Sequence, residues 1–226
     1  MLTSHKKCYS LVLVALMCSC SDKPATGDKK ESMIPVQKLD SIGQAFINTG
    51  QVLGFSVAKI KKNDTLYNRG FGYTDKEKTK PVTNETRFLL ASVSKLMGAT
   101  LIMKLVDEGR LSLDQTLGEL LPDFPNRVQA HKITLKHMLS HTSGLQDYAV
   151  EIDSAYVKTR TDPKKHDIYS FLKGKDLVFE PGSDYSYCNT GFYLMGLIVE
   201  RITGRPFRDE VDRVINQPAG MDLKLI

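Results

Sequence analysis

The chain has 226 residues, of which 41% are hydrophobic and 25% charged, so its composition is that of a globular protein rather than a disordered or fibrous one. Its formal net charge at pH 7 is +5, with 31 basic and 26 acidic residues interspersed along the sequence. This distribution does not indicate a nucleic-acid-binding surface, and no fixed-period repeat indicates a solenoid.

Residues 1–20 have the order of a signal peptide. Lys6 and Lys7 precede an apolar run over residues 11–17, which is too short to span a bilayer. The sequence therefore predicts that the chain is exported, to the periplasm or to the surface of a bacterial cell.

Cys20 is the predicted site of lipid attachment. It follows the small residue Ser19 and resembles the cysteine that receives the lipid in bacterial lipoproteins; secretion without a lipid is the alternative. Residues 21–34 are rich in polar residues, Gly and Pro, which predicts a flexible linker to the membrane. Of four cysteines, only Cys188 then remains in the folded part, so no disulfide framework is expected.

The first predicted elements are a helix and a hairpin. Apolar residues from Val36 to Ile47 recur with helical spacing, and Gly50 closes the pattern. Residues 52–60 and 65–73 are two runs with β-branched and aromatic residues, which predict a β-hairpin.

Helices and loops are predicted for the rest of the chain. A helix from about Ser92 to Glu108 has apolar residues around almost its full circumference, so we expect it to be buried. Residues 133–139 predict a short amphipathic helix opened by Thr134, and residues 146–166 a surface loop.

Three further helices are predicted after this loop. Asp167 is expected to cap a helix that reaches Leu172. Asn189 is expected to begin a helix that stops at Gly204, and Pro206 lies in the predicted first turn of the next, over residues 206–215.

Ser92 and Lys95 are candidate catalytic residues. They lie three positions apart, so a helix places them on one face. A serine hydroxyl becomes a good nucleophile when a neighbour accepts its proton, and an amine can do so where its surroundings disfavour the ammonium form. The helix N-terminus also favours negative charge on the serine oxygen, and the Ser92 N–H is a candidate oxyanion donor. Because a Ser-x-x-Lys pattern is common by chance, it needs a second pattern beside it.

Tyr187 and Asn189 supply that second pattern at the predicted start of a helix. A tyrosine beside a cation can exchange protons with a serine, and an asparagine amide can orient a lysine and bind a substrate amide. The alternative interpretations are a half-buried core tyrosine and an asparagine that caps the helix.

Three motifs together resemble one superfamily. Ser92-Val-Ser-Lys95, His141-Thr-Ser-Gly-Leu145 and Tyr187-Cys-Asn189 are similar in order and separation to the motifs of the serine β-lactamase and penicillin-binding-protein superfamily, over roughly residues 35–226. The Tyr-x-Asn motif resembles the branch of class C β-lactamases, D-alanyl-D-alanine carboxypeptidases, related esterases and D-aminopeptidases. The resemblance implies an α/β fold of the α+β type, with a helical domain and an antiparallel sheet.

The resemblance also implies a function. The chain would be a serine hydrolase that cleaves an amide or ester of a small molecule or peptide, such as a β-lactam, a D-alanyl peptide or an ester, through an acyl-enzyme. The implied roles are nucleophile for Ser92, proton acceptor for Lys95, base and acid for Tyr187, and ligand of the substrate and lysine for Asn189. His141 belongs to a turn that we interpret as structural. The chemistry implied needs no metal and no cofactor.

One motif of the superfamily is missing. No Lys-Thr-Gly or His-x-Gly follows the second motif, since Ile202-Thr-Gly204 has the wrong first residue. We therefore expect an incomplete sheet and weak or absent activity, because loss of one oxyanion donor costs about 10²- to 10³-fold in rate. A separate chain that completes the sheet is a second expectation. A non-catalytic module that binds peptidoglycan or a partner is the alternative function, and an unstable fragment is a third interpretation.

Overall fold

The computed structural model describes residues 35–62, 64–149 and 164–223. The predicted signal peptide, the lipid site at Cys20 and the linker at 21–34 lie outside the described residues. None of the described helices is long and apolar enough to cross a membrane. The chain divides between Ala91 and Ser92 into two compact units.

The first unit contains a helix and a two-stranded sheet. Helix α1 is Val36–Asn48, strand β1 is Gly54–Lys61 and strand β2 is Asp64–Gly72. The strands are antiparallel, with Gly54 opposite Gly72, and the register shifts between Lys59 and Ile60. The predicted helix and hairpin are both present, with ends within two residues of the prediction.

Aromatic packing joins α1 to the hairpin. A Cβ atom at Gly43 would lie 2.4 Å from the Phe71 ring, so only glycine lets the helix approach this closely. The Phe71 ring stacks on Phe55 with centroids 5.1 Å apart. The Tyr67 hydroxyl donates to Asp40 Oδ1 at 2.6 Å, and burial together with this carboxylate raises the pKa of Tyr67 to about 12. Helix α1 is thus held by both apolar and polar contacts.

The second unit is helical where the structure describes it. A 3₁₀ turn, Ala91–Ser94, leads directly into helix α2, Lys95–Asp107. The further elements, in chain order, are α3 (Leu117–Leu120), α4 (Arg127–Ala130), α5 (Leu135–Leu139), α6 (Lys165–Leu172), α7 (Asn189–Thr203), α8 (Phe207–Val211), a π-helical turn (Asp212–Asn216) and α9 (Gln217–Ala219).

The core of this unit lies where α2 and α5 pack against α7. Its fully buried side chains include Ile102 of α2, Met138 of α5 and Leu194 and Ile198 of α7. Thr134 opens α5, as predicted: its hydroxyl accepts a hydrogen bond from the His137 N–H. The core therefore fixes α7, whose first residues belong to the second motif.

Two predictions for the opening helix are wrong. Ser92 lies in the 3₁₀ turn and not in the α-helix, because helix N-termini often tighten into this form. Helix α2 is also not buried all round, since Leu96 and Met103 are 51% and 46% exposed while Leu101 and Ile102 are buried. An apolar sequence shows which residues could be covered, but tertiary packing decides which ones are.

Helix α7 begins at Asn189, as predicted, and Cys188 occupies its N-cap position in place of the alternative, Asn189. The starts of two other helices differ from prediction. Asp167 does not occupy the cap of α6: it lies in the first turn, and its Oδ2 accepts from the N–H of the cap residue Lys164 at 2.8 Å. Pro206 is the cap before α8, and the helix begins one residue later.

Candidate active site

The 3₁₀ turn places Ser92 and Lys95 on the same side. Residues three apart eclipse one another in a 3₁₀ helix, and Lys95 follows directly as the first residue of α2. Lys95 Nζ donates to Ser92 Oγ at 3.3 Å. Ala91, just before the serine, has a φ of 46°, in the left-handed region that costs free energy for any residue with a Cβ atom. The unfavourable backbone conformation of Ala91 thus helps to set the position of Ser92.

Tyr187 approaches the same oxygen from the other motif. Its hydroxyl donates to Ser92 Oγ at 2.7 Å, although the two residues are 95 positions apart. The Lys95 Nζ atom lies 4.7 Å from the centroid of the Tyr187 ring and 5.6 Å from that of Phe192. The serine oxygen therefore has an amine and a phenol as immediate neighbours.

Asn189 completes the group of predicted residues. As the first residue of α7, it points its side-chain oxygen at Lys95, and the distance from Nζ to Oδ1 is 2.7 Å. The structure thus brings all four residues singled out in the sequence into one hydrogen-bonded cluster. Ser92, Lys95 and Tyr187 meet at the serine oxygen, and Asn189 meets them through the lysine.

His141 supports the tyrosine motif from behind. Its φ of 58° turns the backbone sharply, and its Nδ1 accepts from the Cys188 N–H at 3.1 Å. The His141 ring lies 4.6 Å from the Tyr187 ring, centroid to centroid. Burial, and then the nearby Lys95 charge, lower the pKa of His141, so its imidazole is held neutral. These contacts agree with a structural turn.

The rest of this turn is hydrogen-bonded to the segment that leads to Tyr187. Gly144 has a φ of 71°, and a Cβ atom there would lie 2.1 Å from the Phe179 carbonyl oxygen. The Gly144 carbonyl accepts from the Val178 N–H at 2.8 Å, and the Thr142 carbonyl accepts from Gly182 at 2.8 Å. The glycine is therefore needed for close backbone pairing, which positions the tyrosine motif.

Cys188 is not a competing nucleophile. It is buried, and burial raises the pKa of its thiol, which disfavours the reactive thiolate. Its Sγ lies 3.4 Å from the Leu145 carbonyl oxygen. The interpretation of Cys188 as a small buried residue agrees with this environment.

Asp147 belongs to the cluster and was missed by sequence reasoning, which placed it in a surface loop over residues 146–166. Its Oδ2 accepts from Asn189 Nδ2 at 2.9 Å, and its Oδ1 accepts from the Asn189 backbone N–H at 3.2 Å. The one sequence feature that could have indicated this role is the position of Asp147, an acidic residue two positions after the turn that ends at Leu145. Residues 150–163 of the predicted loop lie outside the described part of the chain.

The cluster has the parts that nucleophilic catalysis requires. An alcohol lies between two groups able to carry a proton, and an oriented amide fixes one of them. Within residues 35–62, 64–149 and 164–223, no group of three or more His, Cys, Asp or Glu side chains is placed to hold a metal ion.

Comparison with known proteins gives similarities in sequence and in structure. The profile of the family described as Beta-lactamase matches residues 39–223. Esterase EstB of Burkholderia gladioli is 31% identical over 195 residues, which cover 81% of this chain and 50% of EstB.

Two solved structures share the fold. The octameric penicillin-binding protein homologue from Pyrococcus abyssi superposes with a TM-score of 0.72 and 31% identity, over 84% of this chain and 44% of that protein. The D-amino acid amidase from Ochrobactrum anthropi SV3 superposes with a TM-score of 0.73 and 28% identity, over 82% of this chain and 50% of that protein. The chain thus spans half or less of the length of these relatives. The predicted β-lactamase-like α+β fold is confirmed.

Proposed function

Because the chain belongs to the β-lactamase family of serine hydrolases, we propose that it cleaves an amide or ester through an acyl-enzyme on Ser92. One observation carries the proposal: Ser92 Oγ is within hydrogen-bond distance of both the Tyr187 hydroxyl and Lys95 Nζ. An alcohol so placed can lose its proton as it attacks, which is what an acyl transfer to serine requires.

The proposed acylation begins with attack by Ser92 Oγ on the substrate carbonyl carbon. The serine proton passes to Lys95, which accepts it as the neutral amine. A bond forms from the serine oxygen to the carbonyl carbon, and the bond from that carbon to the leaving nitrogen or oxygen breaks. Tyr187 transfers a proton to the leaving group, and Lys95 restores the tyrosine proton. The Ser92 N–H is the proposed donor to the oxyanion that forms in between.

Deacylation follows the same path in reverse. Tyr187 passes its own proton to Lys95 and, as the phenolate, takes a proton from the water that attacks the acyl carbon. The bond from that carbon to Ser92 Oγ breaks, and Lys95 returns the proton to the serine oxygen. The cation near the tyrosine ring stabilises the phenolate that exists between these transfers, since Lys95 Nζ is 4.7 Å from the ring centroid.

The proposed substrate class is a small amide or ester. One relative is named an esterase and another a D-amino acid amidase, so both bond types occur among similar proteins. Both chemistries share the tetrahedral intermediate that the cluster is suited to form. A β-lactam is a cyclic amide and belongs to the same proposed class.

Labelling with a fluorescent fluorophosphonate tests the nucleophile. We expect a slowly labelled band, with the adduct located on the Ser92 peptide by mass spectrometry, and no label in Ser92→Ala. Ser94→Ala, two positions further along the same turn, is the matched control and should retain the label. Label that persists in Ser92→Ala, or a folded wild-type chain that is never labelled, would contradict the proposal.

Two further proposals concern the surroundings of this chain. We propose that Cys20 is lipidated after export, which incorporation of a radioactive fatty acid that is lost in Cys20→Ser would support. We also propose that a separate polypeptide strand pairs with the outer edge of β1. The support for this is that β1 and β2 form a two-stranded sheet among the described residues and that the side chains of residues 56–61 are exposed.

A further inference from the structure

The side-chain amide of Asn189 lies between two groups of opposite hydrogen-bonding character. Its Oδ1 accepts from Lys95 Nζ at 2.7 Å, and its Nδ2 donates to Asp147 Oδ2 at 2.9 Å. Lysine Nζ has N–H groups to donate whether the amine is charged or neutral, and an ionised carboxylate can only accept. One of the two amide orientations therefore satisfies both neighbours, and it is the one with the oxygen toward the lysine.

The Asp147 carboxylate also holds the backbone of the same residue. Its Oδ1 accepts from the Asn189 N–H at 3.2 Å, where the 15-residue helix α7 begins, and from the Ala149 N–H at 3.2 Å. A carboxylate is favoured at this end of a helix by the helix dipole. Asp147 thus fixes both the position of Asn189 and the direction of its amide.

Asp147 is itself held in place by a buried threonine. The Thr190 side chain is 0% exposed; its hydroxyl donates to the Gln146 carbonyl at 2.7 Å and accepts from the Tyr148 N–H at 3.0 Å. These two residues flank Asp147 on either side in the sequence. The carboxylate is therefore attached to the start of α7 by three consecutive residues.

We propose that Asp147 is a positioning residue for the reaction assigned to Ser92, acting through Asn189 on Lys95. The proposal rests on the proposed function. With its amide fixed, Asn189 offers Lys95 a hydrogen-bond acceptor at one constant place, which leaves the lysine nitrogen directed at Ser92. If the amide turned round, its NH₂ group would face the lysine. It would repel Nζ as a second donor, or occupy the lone pair of the neutral amine that must accept the serine proton.

A double-mutant cycle on the rate of fluorophosphonate labelling tests this coupling. We expect Asp147→Ala to slow the labelling of Ser92 by up to about 100-fold, because a misplacement of about 1 Å in a reacting group can cost that much. In the Asn189→Ala background, Asp147→Ala should slow labelling far less than it does in the wild type, because the amide that Asp147 orients is already gone and only its backbone bond to residue 189 remains. If the losses in labelling rate of the two single variants multiplied in the double variant, the proposal would be overturned, because Asp147 would then not act through Asn189.

Two variants serve as controls in this cycle. Asp147→Asn keeps the size of the side chain and still offers one oxygen to Asn189 Nδ2, so its rate should lie between those of wild type and Asp147→Ala. Asp184→Ala removes an exposed carboxylate that accepts from the Tyr185 N–H, whereas the side chain of Asn189 bonds Lys95 and Asp147, so this change should leave the rate unchanged. A loss in Asp184→Ala equal to that in Asp147→Ala would argue against a specific effect.

Nuclear magnetic resonance gives a readout that does not depend on reactivity. In the full chain, the Asn189 side-chain NH₂ resonances should move, and their exchange with water should quicken, in Asp147→Asn and Asp147→Ala but not in Ser92→Ala. Unchanged Asn189 resonances in the Asp147 variants would overturn the proposal. A wild-type chain that is never labelled would contradict the proposed function, and the resonances would then still decide whether Asp147 orients Asn189.

Discussion

Ser92 Oγ has two close neighbours of different kinds, a phenol at 2.7 Å and a lysine nitrogen at 3.3 Å. Both can carry a proton, and the lysine is hydrogen-bonded onward, through Asn189 to Asp147. Lys95 is therefore held more rigidly than Tyr187, because its acceptor, the Asn189 amide, is hydrogen-bonded through both its oxygen and its nitrogen. The tyrosine hydroxyl, by contrast, is oriented by the packing of its ring on His141.

His141 gives a pH-dependent prediction at the residue scale. Burial and the Lys95 charge lower its pKa below the ordinary value of 6.5, so the folded chain resists protonation there. Between the lowered pKa and 6.5, the unfolded chain binds more protons than the folded one, and stability rises with pH in that window. We therefore expect the midpoint of thermal unfolding to fall as the pH decreases below about 6.5, by more than in a variant that lacks this histidine.

The matched variants isolate this contribution. His141→Asn should flatten the fall, because asparagine has no titrating group here and tolerates the positive φ of this position. His166→Asn changes a histidine with a 75% exposed side chain and should retain the fall. The same pH dependence in both variants would show that His141 does not cause it.

At the scale of elements, the start of α7 organises the site. Cys188 caps the helix, Asn189 begins it, and Thr190 attaches the 146–148 segment to it. Cys188 donates its N–H to His141, Asn189 accepts from Lys95 through its side-chain oxygen, and the Thr190 hydroxyl bonds the 146–148 segment. The helix is in turn held by its packing on α2 and α5.

Thr190→Val should destabilise the fold more than Thr203→Val. Both replace a hydroxyl in α7 by a methyl group of similar size. The Thr190 hydroxyl is fully buried and bonds two backbone groups of another segment, which would be left unsatisfied at a cost of about 1 to 3 kcal/mol. The Thr203 hydroxyl is only half-buried and bonds groups close to it in sequence, donating to the Val199 carbonyl and accepting from the Arg205 N–H. Water can replace it there, so its loss should cost less. Urea unfolding of the two variants measures the difference, and equal losses would refute it.

The elements themselves were largely predictable. The helix at Val36, the hairpin and the stop of α7 at Gly204 follow from spacing, alternation and a glycine with a φ of 71°. The 3₁₀ turn at Ser92 and the exposed face of α2 were not. Both depend on what packs around the helix, and an apolar pattern alone does not contain that information.

At the scale of the whole molecule, the sheet remains open in the described residues. Strand β1 pairs with β2 on one side, and its Val57 and Ile60 are 41% and 64% exposed. A two-stranded sheet is marginal in water, and an open strand edge offers unpaired backbone groups to another strand. This is the physical basis for the proposed partner strand.

Hydrogen exchange tests the open edge. In the chain alone, the N–H groups of β1 should exchange alternately slowly and quickly along the strand, because an antiparallel partner on one side bonds every second residue. Uniform protection along β1 would show that its outer edge is already covered. Strand β2 provides the internal comparison, because at its last residue the Gly72 carbonyl accepts from the Val82 N–H at 2.9 Å.

The sequence by itself determined the local features of this protein. Ser92 and Lys95 share a turn, a glycine ends α7, and two alternating runs make a hairpin, because these depend on the sterics and hydrogen bonds of near neighbours. The resemblance of the motifs then indicated which four side chains belong together. Only the tertiary structure showed that Asp147 joins them, since its carboxylate meets Asn189 across 42 positions. Such a contact is decided by how helices pack and loops close, and no local pattern encodes it.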